Sequence, residues 1–144
     1  MIPDNLRFRF RKNHLLLWLP PLLFFLLISF FSSLSHPPKV LPDFFMLDKI
    51  EHFSIYFVFG ALLARSGLWE LTWHPVWSYR LKIILLILIF SAGAIDEWHQ
   101  SFVPNRDVDF FDWVADTFGA LCGFALCRVI YKKHVQKIIK GAVL

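Results

Sequence analysis

Residues 15–34, LLLWLPPLLFFLLISFFSSL, form a run of twenty positions without a single Lys, Arg, Asp or Glu, and the uncharged stretch extends from Asn13 to Pro38. At 1.5 Å per residue, a helix of this length crosses a hydrocarbon core of about 30 Å. Pro20 and Pro21 predict a kink near its start unless they fall in its first turn. Arg7, Arg9, Arg11 and Lys12 ahead of it resemble the basic region of a signal peptide. The apolar run is too long for one, however, and no small-x-small cleavage site follows, so an uncleaved anchor is expected.

The rest of the chain shares this character. Of 144 residues, 57% are apolar and 18% charged, against about 45–50% and 25% in soluble domains, and mean hydropathy is +0.55. A soluble chain this short hardly buries that much apolar surface. Composition therefore points to an integral membrane protein of one domain and excludes disordered, coiled-coil and disulfide-scaffold classes. Cys122 and Cys127 are five apart in one apolar segment, about 140° around a helix and too distant for a disulfide, so they read as packing residues.

Three further apolar segments, His52–Ala64, Ile83–Ile95 and Thr117–Cys127, are short when counted between charges. Each reaches membrane length only by extending through ionisable residues at one end. The expected spans are residues 15–34, 47–65, 81–100 and 110–131, giving an all-α, four-helix membrane bundle over residues 1–144. Twelve of the fifteen lysines and arginines fall on one side, in the N-terminal segment, the connection from Arg65 to Lys82 and the C-terminal end. Both termini are therefore expected in the cytoplasm, with short outer loops at Ser35–Met46 and Ser101–Asp107. Trp69, Trp73, Trp77 and Tyr79 in the inner connection suit an interfacial belt. The net charge of +4 follows from this basic inner face, and no nucleic-acid partner is expected.

Helical spacing aligns the remaining polar residues. Asp48, His52 and Tyr56 are spaced i, i+4, i+8, with Glu51 and Gly60 near the same face. Gly93, Asp96, Glu97 and Gln100 form a second stripe, and Asp109, Asp112, Asp116, Gly119 and Gly123 a third. Each stripe sits at the outer end of its helix. A charge facing lipid costs about 2.5–3.5 kcal/mol on insertion scales, so these groups should face one another. Gly119-x-x-x-Gly123 has the spacing of a close helix contact. The expected pocket comprises Asp48, His52, Asp96, Glu97, Gln100, Arg106, Asp112 and Asp116, with Arg106 on the intervening turn as counter-ion.

The residues leave four uses open. The network fixes helix register; a divalent cation binds among Asp48, His52, Glu97 and His99; a carboxylate with a shifted pKa works with His52 in acid–base chemistry; or protons or ions pass through. The last is disfavoured by the nearly apolar inner halves. Seven carboxylates near Lys49 and Arg106 leave several needing a proton, water or a cation. No G-x-S-x-G elbow or Gly-rich phosphate loop is present.

Asp48-Lys49-Ile50-Glu51-His52 with Tyr56 and Gly60, Asp96-Glu97-Trp98-His99-Gln100 with Phe102-Val103-Pro104, and Arg106 followed by Asp112, Asp116, Gly119 and Gly123 resemble the VanZ-like family of small bacterial polytopic membrane proteins. The resemblance runs from about Leu47 to Cys127. Asn105 stands where the family commonly has glycine, and Asp116 where asparagine is frequent. The resemblance implies a multi-pass protein of the bacterial cytoplasmic membrane, in contact with the lipid bilayer. A founding member associated with low-level teicoplanin resistance makes an envelope lipid or lipid-linked cell-wall component the expected ligand. It brings no established reaction, cofactor or metal. A structural or partner-stabilising role and, less favoured, proton-coupled transport are the competing expectations.

Overall fold

The computed structural model describes residues 14–36, 47–73 and 78–141. Among them are four helices and no strand: α1 (His14–Ser32), α2 (Leu47–Trp73), α3 (Ser78–Gln100) and α4 (Phe110–Gly141). The basic N-terminal run, most of the first outer loop and residues 74–77 lie outside the described residues, as do the side chains of Trp69, Trp73 and Trp77.

The expected spans each correspond to a helix, but α2 continues past Arg65 and α4 past Tyr131. Among the described residues, only Phe110–Tyr131 of α4 has both the length and the composition of a complete crossing. The apolar part of α1, Leu16–Ser32, is shorter than that requirement, while α2 and α3 carry charged residues at their ends.

Pairings along the chain give an up-down-up-down order. Phe25 of α1 lies against Phe59 of α2, and Ser66, further along α2, reaches back to Leu17. Tyr56 of α2 meets Ala92 of α3, whereas Gly67 meets Leu85. Both pairs of neighbours are antiparallel. The most extensive contact is between α2 and α4, which run parallel. Gly119 lies on the backbone of Phe53, Gly123 on that of Phe57, and Gly60 on that of Ala120. Without side chains at these positions the two backbones meet directly, the packing that small residues permit.

Pro20 and Pro21 lie inside α1 rather than in its first turn. Pro21 has no N–H to give the carbonyl four residues earlier, that of Leu17. The buried Ser66 hydroxyl donates to that carbonyl instead, at 2.6 Å. A proline that weakens α1 internally thus creates the acceptor that ties it to α2.

The core is built from Tyr56, Phe59, Leu63, Leu85, Ile89 and Ala120, with Ile28 of α1 and partly buried aromatics against them. The exterior is apolar as well: Leu22, Leu26 and Phe30 on α1, Ile84 and Ile87 on α3, and Phe118 and Ile130 on α4 are all about half exposed or more. Soluble monomers rarely present such continuous apolar surface. A groove of about 430 Å³ along α3, lined by Ile83, Leu86, Ile87, Phe90 and Ser91, has no ionisable side chain. It belongs to this exterior and not to the chemistry.

Gly60→Ala and Gly123→Ala place a methyl group on a neighbouring backbone, so each is expected to destabilise the protein by about 1–3 kcal/mol. Gly67→Ala meets only the flexible end of Leu85 and gains helix propensity of up to about 1 kcal/mol. Thermal unfolding should therefore separate the first two variants from the third.

Candidate functional site

The up-down order brings the C-terminal ends of α1 and α3 beside the N-terminal ends of α2 and α4, and the three polar stripes meet there. A tight turn connects α3 to α4. In it Arg106 N–H donates to the Val103 carbonyl at 3.3 Å, and Asn105 has φ 62°. This left-handed conformation favours glycine, with asparagine among the better-tolerated alternatives. Asn105 therefore preserves the turn. Asp109 caps α4, its carboxylate accepting from the Phe111 N–H at 2.8 Å, where a side-chain acceptor satisfies an otherwise unpaired donor.

Two connected groups follow. In the outer one, Lys49 Nζ lies 3.2 Å from Asp48, 2.6 Å from Asp109 and 2.5 Å from Asp112. Asp112 Oδ1 is buried and lacks a well-directed hydrogen bond, but the short distance makes it the ammonium's ion-pair partner. The other group is deeper. His52 Nδ1 and Asp116 Oδ1 are 2.9 Å apart, with Asp116 completely buried. Glu97 is buried too, and one of its oxygens accepts from the Asp109 N–H at 3.1 Å. Behind them Gln100 donates to Asp96 at 3.2 Å, both residues being buried.

The structure thus gathers Asp48, His52, Asp96, Glu97, Gln100, Asp112 and Asp116 at one end of the bundle. Arg106 is placed differently from the expected counter-ion. Its guanidinium turns to α1 and donates to the Phe31 and Leu34 carbonyls, each at 3.2 Å. Carbonyls at a helix C-terminus lack partners within the helix and carry its negative dipole end, so a cation is well placed there. Lys49 is the cation among the carboxylates. His99 stands apart from the cluster, its Nε2 lying 2.9 Å from the Ser33 hydroxyl.

Gly93 and Thr117 also contribute to the surroundings. A Cβ at position 93 would lie 2.9 Å from the Asp116 Cβ and 3.2 Å from its Oδ2, so this glycine makes room for the buried carboxylate. Thr117 is buried beside Asp116 in sequence, with no hydrogen-bond partner for its hydroxyl among the described residues. Nothing in helical periodicity singles it out, because threonine occurs in apolar segments for packing as readily as for chemistry.

The Lys49 ammonium, with help from the Phe111 N–H, holds the Asp109 carboxyl below its ordinary pKa. A carboxylate with a lowered folded-state pKa stabilises the fold above its unfolded pKa, about 3.9, and loses that contribution as pH falls through the folded value. Asp109→Asn retains the cap but removes the charge. The variant should unfold at a lower temperature than the parent at pH 7, with the gap closing below about pH 4; unfolding curves across this range provide the check.

Comparison with known proteins agrees with the motifs. The uncharacterized protein C11E3.10 of Schizosaccharomyces pombe is 27% identical over 138 residues, covering 96% of this chain and 76% of the relative. No solved structure matches the chain. The VanZ/LLP1 family matches residues 5–131, which include all three polar stripes. On the extent of that match, the chain belongs to the VanZ/LLP1 family.

Proposed function

We propose that this chain is a multi-pass membrane protein with both termini on the cytoplasmic side, and that its acidic end binds and acts on an envelope lipid or lipid-linked cell-wall component at the outer leaflet. The observation that carries this reading is the hydrogen-bonded His52–Asp116 pair beside buried Glu97, held at one end of a bundle with an apolar exterior. Lipid is the solvent that suits such an exterior. The distribution of Lys and Arg favours placing the acidic end outside.

Within this reading, His52 is the group that meets the headgroup, because it is partly exposed whereas Asp116 is completely buried. Asp116 orients the ring, and the imidazole transfers a proton to or from a headgroup atom. Glu97 sets the charge around the pair. Surplus carboxylates disfavour a bare phosphate, and Arg106 is already engaged with α1. The apolar halves of α2 and α3 remote from this end favour a one-sided site over a transport path.

Reporter fusions after Leu144 and within residues 37–46 test the orientation, which requires a cytoplasmic signal from the first and an external signal from the second. For the chemistry, a deletion strain is complemented with the parent protein, His52→Ala or Glu97→Gln at matched membrane abundance. The expected result is parent-like envelope lipids and glycopeptide susceptibility only with the parent protein. Full restoration by both variants would leave the register-fixing network as the function of the cluster.

A further inference from the structure

Three helices deliver metal-ligand atoms to one place. A ring nitrogen of His52 from α2 and carboxylate oxygens of Glu97 from α3 and Asp116 from α4 all lie within 4.8 Å of one another. Ligands on one first-row divalent ion are at most about 4.4 Å apart, because each bond is about 2.0–2.2 Å. Small side-chain movements therefore suffice to bring all three onto one ion.

Burial supplies an independent reason for a cation. Asp116 is 0% exposed and Glu97 5%, yet Asp116 Oδ2 and Glu97 Oε1 have no hydrogen-bond partner among the described residues. Carboxylate oxygens removed from water are costly unless paired or bound to a metal. Asp96, buried nearby, has an oxygen in the same condition.

A neighbouring group, Asp48, His52 and Asp112, also has suitable spacing. There Lys49 already touches both carboxylates, so that position has its positive charge. The inner group has an imidazole facing two carboxylates.

We propose that His52, Glu97 and Asp116 bind one divalent first-row transition-metal ion, of the Zn²⁺ or Mn²⁺ type, that ties α2, α3 and α4 together. One imidazole with two carboxylates suits such an ion better than Ca²⁺ or Mg²⁺, which take oxygen ligands almost throughout. Gly93 keeps the space beside Asp116 clear. This assignment rests on ligand geometry and burial and not on any action on lipid; with an ion bound, His52 holds the metal instead of transferring a proton itself.

The test uses the full chain in detergent without added lipid, stripped with a chelator and titrated separately with Zn²⁺, Mn²⁺, Mg²⁺ and Ca²⁺. Calorimetry and elemental analysis are expected to give one Zn²⁺ or Mn²⁺ per chain and a raised unfolding temperature. Asp116→Asn and Glu97→Gln should each weaken binding at least about tenfold, while Asp107→Asn leaves it unchanged. X-ray absorption on the Zn²⁺-loaded parent protein gives a readout independent of the variants' folding: a shell of nitrogen and oxygen at about 2.0–2.2 Å, without sulfur. Absence of stoichiometric binding by the parent, preference for Ca²⁺ or Mg²⁺, a sulfur-containing shell, or unaltered binding by folded Asp116→Asn and Glu97→Gln would each overturn the assignment.

Discussion

Backbone contact between α2 and α4 is the constraint on which the polar end depends. Gly119 and Gly123 rest on the carbonyls of Phe53 and Phe57, and Gly60 rests on Ala120. This contact sets both the separation and the register of two parallel helices. One turn from Gly119 toward the start of α4, the same register puts Asp116 opposite His52, and a further turn puts Asp112 opposite Lys49. An added methyl group at the glycine contact therefore strains packing and polar pairing together.

Charge is arranged by depth. Lys49 is partly exposed and gathers Asp48, Asp109 and Asp112, whereas the buried Asp96, Glu97 and Asp116 lie behind it. The long ammonium side chain reaches several partners because it can bend toward each. The imidazole is shorter and rigid, so it engages a single carboxylate with defined geometry. Arg106, with its planar fork, satisfies two carbonyls of α1. Each cation thus occupies a place suited to its shape.

Much of this was legible in the sequence because helical spacing is a strong local rule. Asp48 and His52, or Asp112 and Asp116, share a face by periodicity alone, and the glycine spacing indicates where helices approach. What spacing does not specify is the direction of a long side chain on a turn. Arg106 is near the acidic stripes in sequence, but the carbonyls ending α1 compete for it, and they come from residues more than seventy positions earlier. Thr117 was equally hidden, since its burial arises only from the packing of other helices around α4. The helix bounds also exceed the apolar segments, because a helix continues through charged residues where its backbone remains paired.

The serine filling the proline gap in α1 bears on the order of assembly. Leu17 has an open carbonyl as soon as α1 forms, and the hydroxyl that closes it belongs to Ser66, forty-nine residues later in synthesis. That carbonyl of α1 therefore gains its side-chain partner only after most of α2 has been produced. Closing that carbonyl waits on a single hydroxyl group that a different helix supplies.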